Sequence, residues 1–365
     1  MKSFKKHLVF IATNRADFYL QNYIYSNIKK KLFNKSFFFV GDYKQYKVIN
    51  PKKNFFNYHF TYNVEEKFNN INLKISKIIK NFSNQIKNRE KIIIILLGDR
   101  FETLSCGIAA YNKNIPIVHI HGGEKTIESL DQGYRDMLSN IATFNFVSSI
   151  HNKKNLLKMG INKNKIKNIG SIGASLLDAS KQSNKKSLIK PFFRDRGFYL
   201  VTLHPNNSDK LKTKKEISIL LSSLSKFDNK NFIFTKPNSE FGSRIIENEI
   251  KASLRRNKHF HYIENLGSDF SSYLFFCSGI IGNSSSGILE SPIYNKPSIN
   301  IGNRQKGRVC DFSVLNCDFE KKQIIKCFNK INNKKFLYKV KKMKSIYLQK
   351  KTIEMFEKQI TNFFK

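Results

Sequence analysis

Between residues 98 and 135 the chain carries Gly98-Asp99-Arg100-Phe101-Glu102, then His119-Ile120-His121-Gly122-Gly123-Glu124, then Asp131 and Arg135. Carboxyl groups crowded into one cleft have their pKa values pushed apart, and the set can then supply both an acid and a base. Asp99, Glu124 and Asp131 are the candidate proton-handling groups. Two of them have a plainer reading: Asp99 pairs with the neighbouring Arg100, and Asp131 caps a helix; Glu102, beside Arg100, favours the dipole of a first helical turn. Convergence favours chemistry. Adjacent parallel strands would set Asp99 beside Glu124, and Arg135, four residues after Asp131, shares its helix face. His119 reads as packed inside a strand, and His121 lies nearer the strand end.

A second constellation suits an anion. Asn283-Ser284-Ser285-Ser286-Gly287 joins a short strand to a helix, so hydroxyls and backbone N–H groups converge as a diphosphate requires. A serine-rich helix cap is the plain alternative. Glu290, in the same helix, suits ribose hydroxyls. Arg304, Lys306 and Arg308 follow the next strand beside Gly302 and Gly307 and suit phosphate. His204-Pro205, after the apolar run Phe198–Leu203, is an acid/base or phosphate-contact candidate.

Alternating strands and helices must position these groups. In the first half, apolar runs at Leu8–Ala12, Ser36–Val40, Ile92–Leu97, Ile115–Ile120 and Phe144–Ser148 read as parallel strands, the last closing the sheet. Helical spacing covers 17–32, 64–87 (including Phe68), 102–111 and 130–141. The polar stretch 170–195 reads as an interdomain linker. A second series follows, with strands at 198–203, 231–235, 259–263, 279–282 and, last, 298–301. The helix opened by the serine loop runs to about Tyr294, and 321–365 reads as two basic amphipathic helices. The expected fold is α/β of GT-B type: two Rossmann-like domains, their parallel sheets facing across a cleft. Residues 1–175 form the sugar-side domain with the carboxylates. Residues 176–365 form the nucleotide domain, its C-terminal basic helices packing back on the first.

Composition narrows the class. The 365 residues carry 65 Lys+Arg against 27 Asp+Glu, a formal net charge of +38. The lysines are spread along the chain beside asparagine and isoleucine, so the charge implies steering of anionic small substrates, with neither nucleic acid nor membrane as a partner. Cys106, Cys277, Cys310, Cys317 and Cys327 lack CxxC spacing and read as free thiols of a reducing compartment, with no metal site. No apolar run reaches membrane-spanning length, and the expected location is the cytoplasm.

Taken in order, Thr13-Asn14-Arg15-Ala16-Asp17, the Gly98–Glu102 segment, His119–Glu124 with Thr126, Asp131, Arg135, Val201–Pro205, Gly282–Gly287 with Glu290 and Pro292, and Asn300–Arg308 resemble the hydrolysing UDP-N-acetylglucosamine 2-epimerases of the sialic- and legionaminic-acid pathways. The resemblance spans about residues 5–310. It implies a metal-free, cofactor-free reaction in two steps. UDP is eliminated from a UDP-N-acetylglucosamine or UDP-2,4-diacetamido-trideoxyhexose to leave a glycal, which is hydrated to the free manno-type sugar. It implies catalytic roles for Asp99, Glu124, Asp131 and His204. It places Arg15, Arg135, Asn283, Ser284, Ser285, Ser286, Glu290 and Arg308 on substrate or UDP, and it implies a homodimer. The chain departs from the family at Asp136 and Asn140, where the family carries histidine and lysine, and the sugar side is where that matters. The competing readings are a GT-B glycosyltransferase and a non-catalytic UDP-sugar-binding relative.

Overall fold

The computed structural model describes residues 6–364 except 30, 50–54, 63–69, 87–91, 127–130, 184–186, 188, 190–192, 194–196, 206–208 and 238–241. The chain divides into two compact units. One comprises residues 1–125, 129–175 and 349–365; the other comprises 126–128 and 176–348.

The first unit holds strands β1 (Lys6–Ala12), β2 (Phe33–Asp42), β3 (Tyr58–Tyr62), β4 (Ile92–Leu97), β5 (Ile117–Ile120), β6 (Phe144–Val147) and β7 (Ile166–Asn168). They form one parallel sheet in the order β3-β2-β1-β4-β5-β6-β7. Its helices are α1 (Arg15–Asn27), α2 (Tyr43–Ile49), α3 (Ile71–Gln85), α4 (Phe101–Tyr111), α5 (Asp131–Ile141), α6 (Ile150–Lys158) and α7 (Ile172–Ser180), the last crossing into the second unit. Strand β4 shows why the sheet forms. Its six aliphatic residues are all buried; Ile93, Ile95 and Leu97 enter the core on one face, and Ile92, Ile94 and Leu96 enter that on the other. Each buried side chain contributes about 1.5–3 kcal/mol.

The second unit holds β8 (Phe198–Thr202), β9 (Asn231–Thr235), β10 (Phe260–Ile263), β11 (Gly279–Gly282), β12 (Ser298–Ile301) and β13 (Val314–Cys317). They are parallel in the order β10-β9-β8-β11-β12-β13. Its helices are α8 (Lys210–Leu224), α9 (Ser243–Leu254), α10 (Phe270–Phe276), α11 (Ser286–Leu289), α12 (Lys321–Ile331) and α13 (Lys334–Lys342). The last helix, α14 (Thr352–Phe363), belongs to the first unit. Phe356 and Ile360 enter that unit's core, and Glu357 Oε1 accepts the Lys29 N–H at 2.6 Å.

Several expectations change. The sheets close on β7 and β13, not on β6 and β12; these edge strands are too short to show an apolar pattern. The expected linker begins with α7, whose Ala174 and Leu177 are buried. The Tyr58–Tyr62 strand and α2 went unforeseen. Of the helix expected over 64–87, Ile71–Gln85 is helical, while 64–69 (Phe68 among them) and 87 lie outside the described residues. The helix after the serine loop stops at Leu289, and a 3₁₀ turn, Ser291–Tyr294, follows, because Pro292 has no N–H to continue it. The basic C-terminal region forms three helices instead of two.

In each sheet the strand order reverses once, between β1 and β4 and between β8 and β11. Open α/β sheets bind ligands beyond the carboxyl ends of strands at such points. Both candidate constellations stand there.

Candidate active site

In the first unit β1 leads into Thr13–Asp17, β4 into Gly98–Glu102, and β5 into His121–Glu124. The chain turns sharply at Gly123, where φ is +73° and a Cβ would overlap the Asn152 carbonyl, so only glycine brings Glu124 round to this position. His119 sits within β5, fully buried. Its Nε2–H donates to the Gly98 carbonyl at 2.8 Å, and its Nδ1 accepts from Ser139 Oγ at 3.1 Å. Burial lowers the ring to about 4, which keeps it neutral, and the Gly98 carbonyl, which can only accept, fixes this tautomer. His119 is therefore a packed residue that anchors the turn before Asp99.

Arg135 organises the carboxylates. It is 2% exposed; its Nη1 donates to Glu124 Oε2 at 3.2 Å, and its Nη2 donates to Asp99 Oδ2. Burial disfavours its charge, but Asp99 and Glu124 outweigh burial and hold it protonated. The other Glu124 oxygen accepts from Ser148 Oγ at 2.8 Å and lies 3.7 Å from His121 Nδ1. Asn152 Nδ2 donates to Ser148 Oγ at 2.8 Å. Asp131 opens α5. Burial, reinforced by the Asp99 charge, raises its carboxyl to about 6. Thus Asp99, Glu124, Asp131 and Arg135 form one electrostatically connected cluster. Glu102 takes a structural position, fully buried and held by Arg100 Nε at 3.1 Å and by Tyr62.

Sequence reasoning did not assign Ser148, Asn152 or Asp17 to the site. Ser148 follows β6, the neighbour of β5, and strand-end position was its available signal. Asp17 accepts from Thr13 Oγ1 at 2.6 Å and Asn14 Nδ2 at 2.8 Å, and burial raises its carboxyl to about 7 despite the nearby Arg100. Arg15 begins α1, where its N–H donates to Gln45 Oε1 at 3.3 Å. Asp136 pairs with Lys125 Nζ at 3.3 Å and accepts from Gln132 at 2.8 Å; Asn140 donates to the Asp136 carbonyl.

In the second unit Gly282 ends β11 at φ +133°, where a Cβ would overlap the Thr202 carbonyl. That close approach lets Asn283 reach across to β8. The Asn283 N–H donates to the Thr202 carbonyl at 3.1 Å, its Oδ1 accepts the His204 N–H at 2.7 Å, and its Nδ2 donates to the His204 carbonyl at 2.8 Å. Gln305 Nε2 donates to the Asn283 carbonyl at 3.0 Å. Burial, with Arg304 nearby, lowers the His204 ring to about 3, so it is a neutral hydrogen-bonding group. The Ser284–Ser286 turn leads into a helix of four residues, so hydroxyls and backbone N–H groups, with little macrodipole behind them, are what an anion would meet. Glu290 lies within reach of the Ser286 hydroxyl and the Arg308 charge; burial raises its carboxyl against both. His204, Asn283, Ser284–Ser286, Glu290 and Arg308 therefore gather at one end of this sheet, while Arg15 and the carboxylates belong to the other unit. The five cysteines are free. Among the described residues no helix is long and apolar enough to cross a membrane.

A doubly wound pair of parallel sheets, with a carboxylate–arginine cluster at the strand ends of one and a serine turn at those of the other, is the architecture of GT-B-type proteins. The structure superposes on that of the UDP-GlcNAc 2-epimerase of Neisseria meningitidis bound to UDP-GlcNAc with TM-score 0.83 and 18% identity, covering 98% of this chain and 100% of that one. The profile of the UDP-N-acetylglucosamine 2-epimerase family matches residues 45–361, and the chain belongs to that family. It is 35% identical over 259 residues to the GDP/UDP-N,N'-diacetylbacillosamine 2-epimerase (hydrolyzing) of Campylobacter jejuni, covering 70% of this chain and 67% of that protein. It is 32% identical over 293 residues to polysialic acid biosynthesis protein P7 of Escherichia coli, covering 80% and 75%. The chain is an epimerase acting on a nucleotide sugar.

Proposed function

We propose that the protein is a hydrolysing 2-epimerase that converts UDP-N-acetylglucosamine or a UDP-2,4-diacetamido-trideoxyhexose to the free manno-type sugar and UDP, in the service of nonulosonic acid synthesis. The observation that carries this reading is the fork of Arg135 on Asp99 and Glu124, with Asp131 beside them at a raised pKa. Removing a poorly acidic C2 proton calls for a base as strong as neutral pH allows, and a carboxyl near 6 is both mostly ionised at pH 7 and more basic than an ordinary aspartate. Asp131 takes the C2 proton as the C1–O bond to UDP breaks, which leaves a glycal. Water then adds its oxygen at C1 and gives up a proton, which Glu124 or Asp99, on the opposite face, takes and passes to C2 with inverted configuration, while Asp131 releases the proton it took to solvent as UDP leaves. The balance is one water consumed and one UDP released. Asn283, Ser284–Ser286, Glu290 and Arg308 hold the nucleotide, and neutral His204 hydrogen-bonds the diphosphate.

Turnover in deuterated water followed by NMR tests the reading. Expected products are free UDP and a manno sugar deuterated at C2. UDP release without C2 exchange overturns it, and transfer of the sugar to an added acceptor would establish the glycosyltransferase reading instead. With Asp131 as the base, kcat falls as pH drops through about 6; a flat profile between pH 5 and 7 removes Asp131 from that role.

A further inference from the structure

Beyond the carboxyl ends of β12 and β13 the second unit holds an open pocket of about 390 Å³, and of its lining residues only Arg308 has a part in the proposed reaction. That volume suits a small metabolite. Asn300 and Asn316, cross-strand partners on β12 and β13, line it, as do Gln305, Lys306, Arg308 and Asp318. Two of these residues carry buried oxygens without a hydrogen-bond partner, Asn300 Oδ1 and Gln305 Oε1, in side chains that are 7% and 5% exposed. Their amide nitrogens are engaged. Asn300 Nδ2 donates to Asn316 Oδ1 at 2.8 Å, and Gln305 Nε2 donates to the Asn283 carbonyl at 3.0 Å. Because a carbonyl can only accept, the Gln305 amide cannot flip, and its oxygen stays on the unpartnered side. A buried acceptor left unmatched costs roughly 1–3 kcal/mol, and a ligand that donates to it recovers that.

The geometry points to a second small-molecule site here, for a hydroxylated anion such as a sugar phosphate or sugar acid, coupled to the nucleotide turn through Gln305 and Asn283. Hydroxyls of such a ligand donate to Asn300 Oδ1 and Gln305 Oε1, and its anionic group meets Lys306 and Arg308. Gln305 links the site to Asn283, which fixes the backbone of His204. Arg308 also acts on Glu290, so a ligand that draws this guanidinium weakens nucleotide binding. The coupling rests on the nucleotide role proposed for that turn; occupancy of the cavity does not.

Calorimetry on the full chain tests both parts, with glucose 6-phosphate and glucuronate as probes and with glucose and inorganic phosphate as controls. Saturable binding of at least one probe is expected, with Kd about 1 mM or tighter and well ahead of both controls; which probe wins decides between phosphate and carboxylate. The UDP Kd is expected to rise about 5-fold or more and then plateau, as coupling between two sites requires. Asn300→Leu and the surface change Lys306→Met should each weaken the probe at least about 5-fold, and either suffices should the other fail to fold. The proposal is overturned if neither probe binds at about 10 mM, if the UDP Kd climbs without a plateau, which makes the cavity part of the nucleotide site, or if both variants bind the probe unchanged. A probe that binds with no effect on UDP leaves the site standing and removes the coupling. Failure of the epimerase reading would appear separately, as absent UDP release.

Discussion

The two strand-end sites are built from different materials. In the first unit charge meets charge: Arg135 spans Asp99 and Glu124, Arg100 holds Glu102, and Asp131 and Asp17 are pushed toward neutrality by burial. In the second unit dipoles meet dipoles around Asn283, which is tied to Thr202, His204 and Gln305 by neutral hydrogen bonds; His204 is held uncharged, and the charge of Arg308 meets a Glu290 carboxyl that burial raises. A site that moves protons needs groups whose charge can change within the working pH range. The nucleotide role proposed for the second site draws chiefly on donors and acceptors whose charge does not change.

The sharpest way to break that contrast is to neutralise one carboxylate. Glu124→Gln, Asp99→Asn and Asp131→Asn should each lower kcat by about 10²–10⁴-fold while UDP affinity, measured by calorimetry, stays within a few-fold. A matching loss of UDP affinity would mean that the first unit binds as much as it reacts. Next in size is Arg135→Leu, which leaves two carboxylates facing each other without their cation; denaturant unfolding should report a loss of about 3–5 kcal/mol. Asn283→Ala should act on binding, with UDP weakened by about 2 kcal/mol and the pH profile of kcat unmoved. The smallest effect concerns Asp17. Its folded pKa lies above its unfolded value of 3.8, so the native state binds the extra proton and is stabilised at low pH; that contribution fades as pH rises from about 4 to about 7. Asp17→Asn should flatten this trend, gaining on the order of 1–2 kcal/mol relative to the wild type between pH 5 and pH 8 in melts. An unchanged trend would show that Asp17 titrates as an ordinary aspartate.

Legibility followed burial. Ile92–Leu97 is apolar on both faces and could only be a central strand, and the placing of Asp99 and Glu124 at adjacent strand ends follows from it. The edge strands Ile166–Asn168 and Val314–Cys317 mix polar with apolar residues because only part of each is covered, so pattern alone misses them. The helix Tyr43–Ile49 is too short for periodicity to register. At the site, residue types announced the carboxylates, but the fork of Arg135 depends on α5 lying over both strand ends, and the Ser148 clamp depends on β6 being the neighbour of β5. Spacing along the chain carries neither fact. The neutrality of His119 and His204 is likewise a product of burial, which residue type does not reveal.

The placement of α14 has a consequence for the order of assembly. Phe356 and Ile360 belong to the core of the first unit, although more than a hundred and fifty residues of the second unit intervene before them. On a ribosome the unit begun first is therefore the one finished last: its β-sheet can gather early, but its core stays open beneath β6, whose Phe146 awaits Phe356, until the final helix emerges. Residues 176–348 can complete their own packing before that moment. A chain stopped after Leu348 should thus yield a protease-resistant second unit attached to a first unit that is readily digested.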